Sequence, residues 1–427
     1  MIGAQRNRLL EWLWLLLAAS FPLFAVEFFR FYDEQALRLS IAPPMLILLL
    51  IFFAGALFIL AGGQVSRGLP LLRANLPGLI CLMVLFVVWH LVSLMRSRDF
   101  WWGLREVAKL AMGMGSFWIV FAFFPRDRPF LDRFWRIALW SSAVLIGYLI
   151  YHYAFVFKCP YLGRHLDAPT RTGRNMLTWY LVFIIPFSVT LVIDSRHKLI
   201  DLVPAVVLTT AWIYAGSRGA WVSVSGGIIT LLVYLVRADP RKGLWISVAL
   251  CSAIALSLGS AWFVLNNYFD LEELEYSKRL IGLFDPEAAP ELQSTSVRIA
   301  LMGQALDDFK ELPLIGIGLM NFATTSERVS HNDYLAILAD MGLIGFVLFA
   351  GLLALVFLFA FRSLEKRDWL SLGTRASLIA VIISFFFINA YTNSIFWIFL
   401  AMVIVWMEAE GLSQVRTAAW SGTPQVS

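Results

Sequence analysis

Residues 330–345 read SHNDYLAILADMGLIG, a polar run that passes directly into a strongly apolar one. The polar part carries His331, Asn332 and Asp333 in succession, and the apolar part begins at Leu335. Lipid alone does not tolerate such a polar cluster, because polar groups in hydrocarbon find no hydrogen-bond partners. The stretch therefore predicts a membrane helix whose polar start lies at the bilayer surface or in a protein-lined cavity.

The composition of the whole chain predicts an integral membrane protein. Hydrophobic residues make up 60% of the 427 residues and charged residues 15%, and the mean hydropathy is +0.75. A soluble domain carries about 25% charged residues. Many of the 17 Trp and 35 Phe residues stand near the ends of apolar runs, as in interfacial belts. The net charge of +5 is interpreted as loop charge, and no basic face outside the apolar runs supports nucleic-acid binding.

Apolar runs long enough to cross the hydrocarbon core predict an all-α bundle. A crossing needs about 20 residues, and about twelve runs meet that length over residues 1–410. A polar tail follows at 411–427, and a long, partly helical insert at 266–332 separates the ninth and tenth spans. The predicted spans lie near residues 9–29, 42–61, 75–95, 105–125, 134–157, 175–194, 199–216, 219–236, 244–265, 335–361, 372–390 and 395–410.

The distribution of Lys and Arg predicts the orientation of the bundle. The short connections on the side of the N-terminus carry more Lys and Arg than the opposite ones, which indicates that both termini are cytoplasmic. One outer loop departs from this trend, because Lys158, Arg164, Arg171 and Arg174 stand close together in it. That concentration predicts an anionic partner at the outer surface. The insert at 266–332 is too long for a plain connector and is interpreted as a functional segment on the same side.

Two further arginines are candidates for binding phosphate at the outer surface. Arg218 stands in the tight turn between the seventh and eighth spans, preceded by Ser217 and flanked by Gly216 and Gly219. A guanidinium matches phosphate oxygens through two N–H groups, and glycines allow a backbone to approach a ligand closely. A snorkelling arginine at a helix end is the alternative interpretation. Arg298 opens a helical segment of the insert and is by itself equally compatible with a surface ion pair.

His331 is the candidate general base. Its ordinary pKa of about 6.5 lets a neutral imidazole accept a proton near neutral pH. Asn332 and Asp333 are expected to orient the ring, and the turn containing Gly316 and Gly318 is interpreted as backbone close to a ligand. The sequence contains no metal-binding spacing of His and acidic residues, no Walker-type loop and no serine-hydrolase elbow. The three cysteines are too widely spaced for a disulfide framework or a zinc site.

Taken together, these motifs resemble the O-antigen ligase family, which shares a superfamily with O-antigen polymerases and bacterial protein O-oligosaccharyltransferases. The order and spacing of the motifs carry the likeness, and the layout of about twelve spans with a long late outer loop extends it along the chain. The matching segments are Ser217-Arg218-Gly219-Ala220-Trp221, then Arg298, Pro313 and Gly316-Ile317-Gly318, then His331-Asn332-Asp333-Tyr334-Leu335 and Gly342-Leu343-Ile344-Gly345.

The resemblance implies a membrane glycosyltransferase of the GT-C-like type at the periplasmic face of the bacterial inner membrane. It implies transfer of O-antigen from undecaprenyl pyrophosphate to a sugar hydroxyl of lipid A–core, with inversion and without metal or other cofactors. His331, Arg218 and Arg298 are then the expected catalytic residues. The expected substrate-binding residues are Arg164, Arg171, Arg174, Ser217, Asn332, Asp333 and Tyr334.

Three alternatives remain open from the sequence. An O-antigen polymerase would use a second lipid-linked glycan as acceptor, and a protein O-oligosaccharyltransferase usually carries a larger C-terminal soluble region. A transporter or flippase predicts ionisable groups near the bilayer midplane. The strongest candidates stand at the outer surface instead, apart from Arg105, Glu106 and Lys109 near one helix end. The oligomeric state stays open.

Overall fold

The computed structural model describes most of the membrane bundle and parts of its outer connections. The predicted span at 244–265, the first part of the insert and the tail at 411–427 fall almost entirely outside it, so these boundaries remain predictions. The described residues are 2–25, 29–30, 40–41, 43–60, 70–156, 174–194, 198–238, 240–241, 243–244, 259, 293–326, 330–362 and 369–406.

The described chain is helical apart from its turns and one antiparallel pair of two-residue strands, β1 (Phe29–Arg30) and β2 (Ser40–Ile41). A 3₁₀ turn at Phe21–Ala25 follows the first helix, and a π turn at His152–Val156 ends the fifth. The helices are α1 (Ile2–Ser20), α2 (Pro43–Leu60), α3 (Pro70–Leu94), α4 (Phe100–Phe123), α5 (Arg128–Tyr151), α6 (Arg174–Asp194), α7 (Lys198–Tyr214), α8 (Arg218–Ala238), α9 (Gln293–Glu311), α10 (Asn321–Ser326), α11 (Asp333–Arg362), α12 (Trp369–Ser384) and α13 (Ser394–Trp406).

The helices have the length and composition of a multi-pass membrane protein. Among the described residues, five helical stretches are long and apolar enough to cross a membrane, and they fall in α3, α4, α5, α8 and α11. Shorter apolar stretches occur in α2, α6, α12 and α13. Large apolar side chains such as Leu60, Leu199 and Leu358 point outward, as expected of a surface that faces lipid. The described helices are therefore compatible with the predicted membrane class, and the count of about twelve spans remains a prediction.

The centre of the bundle is built around α13, which is buried on every side. Phe396, Trp397 and Val405 are fully buried although they point in different directions around the helix. Nearby, α12 packs closely against α8 because glycines stand at the crossing. A Cβ on Gly227 would lie 2.6 Å from the carbonyl oxygen of Ala376, so no larger residue fits there without a backbone shift. Such small residues let membrane helices approach each other.

A break in α11 at Gly342 shapes the outer side of the molecule. Gly342 has φ +66°, and the turn at 313–318 fills the break. The N–H of Ile317 donates to the carbonyl oxygen of Ala339 at 2.9 Å, and the N–H of Leu343 donates to that of Pro313 at 2.8 Å. The turn thus restores the hydrogen bonds that the break removes from the helix.

This arrangement corrects the interpretation of the paired glycines in the turn. Gly316 and Gly318 were expected to bring backbone close to a ligand, but protein backbone occupies that space. A Cβ on Gly316 would lie 2.4 Å from the backbone nitrogen of Met341, and one on Gly318 would lie 2.5 Å from the carbonyl oxygen of Arg96. Both glycines also have positive φ. Because glycine has no side chain, the turn can pack directly against the neighbouring backbone.

We expect Gly342→Ala to destabilise the protein by about 1–3 kcal/mol, since a side chain at positive φ is strained and its Cβ would lie 2.5 Å from the nitrogen of Gly316. Thermal unfolding of the purified variant measures the effect. Gly115→Ala in α4 is the matched control, because nothing lies within 4 Å of a Cβ at that position. Equal melting temperatures for the two variants would contradict the role of the break.

A small separate hydrophobic cluster joins α9 and α10 to the first turns of α11. Leu301 and Ala305 of α9 meet Phe322 of α10 and Ala339 of α11 there. The buried carboxylate of Asp340 strengthens the joint, since it accepts the N–H groups of Met320 at 2.9 Å and Phe322 at 3.0 Å. These contacts hold α9, which carries Arg298, against the helix that begins two residues after His331.

Candidate active site

His331 lies in a tight bend directly before α11. Its φ of 53° is in the left-handed region, which costs a residue with a side chain about 1–2 kcal/mol. The neighbouring residues Ser330 and Asn332 are buried, whereas His331 is partly exposed. Within the described part of the chain, the imidazole forms no hydrogen bond. The bend thus presents a ring whose nitrogens are available to a bound molecule.

Asn332 and Asp333 do not orient the imidazole, contrary to the sequence-based expectation. Asn332 caps α11, because its Oδ1 accepts the N–H of Leu335 at 3.1 Å. The fully buried carboxylate of Asp333 accepts the N–H groups of Ala390 at 2.7 Å and Tyr391 at 3.1 Å. Asn332 therefore fixes the start of α11 and Asp333 fixes the connection between α12 and α13, and the direct contact of either with substrate remains a prediction.

We expect Asp333→Ala to lower stability by about 1–3 kcal/mol, because it leaves the N–H groups of Ala390 and Tyr391 buried without an acceptor. The connection between α12 and α13 should then lose its position beside His331, and any activity of the site should fall with it. Thermal unfolding together with a transfer assay checks this result. A variant with wild-type melting temperature would show that the hydrogen bonds do not hold the connection.

A pocket opens between four elements near this bend. Arg298 of α9 lines it together with Ser217 and Gly219 at the start of α8. The first turns of α6 contribute Thr178 and Trp179, and the remaining lining residues are Val182, Ala220, Ser384, Phe387 and Ile388. The start of α8 carries partial positive charge, and Arg298 adds the full charge of a guanidinium. The pocket therefore has the electrostatic character of an anion site.

The connection between α12 and α13 closes one side of the pocket against α8. A Cβ on Gly219 would lie 2.4 Å from the Cβ of Phe387, so only glycine allows this contact. Gly216, in the turn before α8, has φ +61°. The expectation that Gly219 admits a ligand is thus corrected, because Phe387 takes the space beside its Cα.

Electrostatics link His331 to the pocket. Burial, together with the positive charge of Arg298, holds the pKa of the His331 imidazole below its usual value of 6.5. The ring is therefore neutral at physiological pH and able to accept a proton. An imidazole that is partly exposed, neutral and close to a guanidinium is suited to removing a proton from a hydroxyl group while the guanidinium stabilises an anion.

The other predicted site residues differ in where they lie relative to the pocket. Arg218 is the first residue of α8 and stands between the pocket residues Ser217 and Gly219. Tyr334 is engaged within the protein, because its hydroxyl donates to the carbonyl oxygen of Ile382 at 2.9 Å. Arg174 is the first residue of α6, one turn before Thr178, and its side chain is outside the described part. Arg164 and Arg171 also lie outside the described residues.

Sequence reasoning missed the pocket residues that lie in apolar runs. Trp179 is buried, lines the pocket and has an indole N–H without a hydrogen-bond partner in the described structure. Phe387 and Ile388 line it from the connection before α13. For Phe387 and Ile388, the sequence contains one indication of a connection, the polar segment Asn389–Asn393 between two apolar runs.

Across the residues that the structure describes, no group of three or more His, Cys, Asp or Glu side chains could hold a metal ion. The metal independence implied by the family resemblance remains a prediction.

Two comparisons with known proteins bear on the family of this chain. A profile described as O-antigen ligase matches residues 203–350, a range that contains Arg218, Arg298 and His331. The chain is also 22% identical over 400 residues to the teichuronic acid biosynthesis protein TuaE of Bacillus subtilis (strain 168), covering 86% of this chain and 80% of the relative. These two likenesses support membership of the chain in the O-antigen ligase superfamily, a group of glycosyltransferase-like enzymes of polysaccharide biosynthesis.

Proposed function

We propose that this protein is an O-antigen ligase that acts at the periplasmic face of the bacterial inner membrane. It transfers O-antigen polysaccharide from undecaprenyl pyrophosphate to a sugar hydroxyl of lipid A–core. The observation that carries the proposal is the partly exposed imidazole of His331, which forms no hydrogen bond to a described residue and lies close enough to Arg298 to be affected by its charge. Those are the two groups that glycosyl transfer from a pyrophosphate requires.

The reaction is a single displacement at the anomeric carbon of the donor. His331 accepts the proton of the acceptor hydroxyl while that oxygen forms a bond to the anomeric carbon. The bond from that carbon to the pyrophosphate oxygen breaks, and undecaprenyl pyrophosphate leaves with the electron pair. Arg298 and Arg218 stabilise the negative charge that develops on the leaving group. Attack opposite the leaving group inverts the anomeric configuration.

A polymerase is the second candidate, and one comparison favours it. The name of the relative TuaE assigns that protein to teichuronic acid biosynthesis and does not mention lipopolysaccharide. The same site chemistry serves a polymerase if the acceptor hydroxyl belongs to a second lipid-linked glycan. The two candidates differ only in the acceptor.

A reconstituted assay with purified protein in liposomes separates these functions. One tube receives undecaprenyl-pyrophosphate glycan with lipid A–core, and the other receives the lipid-linked glycan alone. Glycan attached to lipid A–core supports the ligase, whereas longer lipid-linked glycan in the second tube supports the polymerase. Folded protein that transfers nothing in either tube, with substrates proven on a known enzyme, would overturn both proposals in favour of a transporter.

A further inference from the structure

Three charged residues of α4 form a group that the proposed reaction does not use. Glu106 is buried, and its Oε1 lies 2.8 Å from Nζ of Lys109 and 3.4 Å from Nε of Arg105. Its Oε2 accepts a hydrogen bond from Oγ1 of Thr392 at 3.2 Å. This contact brings the group against the connection between α12 and α13, the same connection that lines the Arg298 pocket.

That connection lies between the α4 group and the pocket. Phe387 and Ile388, at its start, line the pocket, and Thr392, near its end, contacts Glu106. Between them, the N–H groups of Ala390 and Tyr391 bind Asp333, which is two residues from His331. Glu106 of the α4 group therefore contacts one end of this short connection, and the other end borders the pocket that Arg298 also lines.

The depth of the two cations is unusual for residues without a function. Trp101, at the start of the span Phe100–Phe123, is exposed, as expected of an indole at the headgroup level. Arg105 and Lys109 follow about one and two helical turns deeper, at about 5.4 Å per turn. Ionisable residues inside a membrane span usually mark a path for substrate or ion.

Both cations have N–H donors to spare. The Arg105 guanidinium rests over the Trp102 ring at 5.6 Å and makes no hydrogen bond to any residue that the structure describes. The Lys109 side chain is 37% exposed and donates to Glu106. An ammonium has three N–H groups and a guanidinium five, so donors remain on each. A guanidinium beside an ammonium suits the oxygens of a phosphate group.

We propose that Arg105 and Lys109 bind a phosphate group of the acceptor glycolipid. This inference rests on the proposed function, because a direct displacement must hold two anionic lipids beside one base. The donor pyrophosphate takes the pocket at Arg298, and the acceptor phosphate takes α4, which places the acceptor hydroxyl near His331. The phosphate has two sources, the phosphates of lipid A–core or the pyrophosphate of a second lipid-linked glycan.

The test compares acceptors with and without phosphate. Arg105→Gln/Lys109→Gln should raise the KM for phosphorylated lipid A–core at least about tenfold and leave the KM for the donor unchanged, since losing charge-assisted hydrogen bonds removes more than 1.4 kcal/mol. On dephosphorylated lipid A–core, the KM of the wild-type protein should rise by the same factor. The KM of the double variant should not rise further on that acceptor. The same KM measurements with lipid-linked glycan as the acceptor test the second source of the phosphate. If the phosphate belongs to a second lipid-linked glycan, Arg105→Gln/Lys109→Gln raises the KM for that acceptor instead.

Lys310→Gln is the matched control, because Lys310 also pairs with a carboxylate one turn away, that of Asp307, at 2.8 Å. It should leave both KM values unchanged. Lys109→Arg should keep the low KM of the wild type, which separates charge from packing. The assignment would be overturned if the double substitution raised the KM equally for phosphorylated and dephosphorylated acceptors, or raised it for no acceptor.

A binding experiment keeps this inference separate from the transfer reaction. Vesicles containing lipid A–core, with and without its phosphates, are titrated with the His331→Ala protein and with the same protein carrying the α4 changes. Phosphate-dependent binding that the α4 changes abolish supports the site even if no transfer occurs. Binding that ignores the phosphates, or survives the α4 changes, contradicts it.

Discussion

His331→Ala should lower the rate of glycan transfer about 100-fold or more, the factor typical for loss of a general base. The imidazole is the group beside the pocket that is both neutral at physiological pH and free of hydrogen bonds in the described structure. Its loss leaves the acceptor hydroxyl without a proton acceptor, whereas donor binding at Arg298 should be unaffected. Initial rates with reconstituted protein at saturating donor and acceptor give the factor.

A second substitution separates the chemical role from a structural one. Because His331 has φ 53°, His331→Gly relieves strain and should raise the melting temperature or leave it unchanged. Its transfer rate should nevertheless fall as far as that of His331→Ala, and added imidazole should restore part of it. A His331→Gly protein that transfers at the wild-type rate would eliminate His331 as the base.

Arg298→Gln should lower the transfer rate about 100-fold or more, in the range of a lost donor to a developing anion. The guanidinium lines the pocket with Ser217 and Gly219, where the leaving pyrophosphate is proposed to lie. The rate at saturating substrate measures the loss. Arg298→Lys keeps the charge but loses the planar fork, so it should recover only part of the rate.

The same variant should change the pH dependence in a defined direction. The rate falls as the pH drops through the pKa of His331, because only the neutral ring accepts a proton. Arg298 acts to lower that pKa, so removing its charge raises the pKa and moves the acid limb of the profile to higher pH. Arg298→Lys should leave the limb in place. An acid limb that does not move in Arg298→Gln would mean that the two groups are not coupled.

The apolar helices and the polar segments at their ends could be predicted from the sequence because each depends on local chemistry. Apolar runs of span length are visible in the sequence, and so are polar residues at their ends, such as His331. The positions of Arg218 and Ser217 at the start of α8 also followed from the short turn between two apolar runs. The family resemblance implied that Arg298 and His331 act at one site. In the structure, the hydrophobic cluster between α9 and α11 brings the two residues near each other.

The roles of the polar neighbours could not be predicted because they depend on contacts between residues distant in sequence. Asp333 binds Ala390 and Tyr391, and Gly316 accommodates the backbone of Met341. The local sequence pattern does not predict contacts between residues so far apart in the chain. The break at Gly342 was equally hidden, since a glycine within an apolar run is common in membrane helices. The charged residues of α4 stood out in the sequence as an exception, and the hydrogen bond from Thr392 to Glu106 places their group beside the connection that lines the pocket.

One direct displacement, with His331 as the base, is proposed to join the glycan to its acceptor. The anomeric configuration of the new bond tests this most directly, measured by NMR on product made by the purified protein from an undecaprenyl-pyrophosphate glycan of known configuration. We predict complete inversion relative to the donor, with product formation dependent on His331. Retention of configuration would require a covalent glycosyl-enzyme intermediate and would contradict the account.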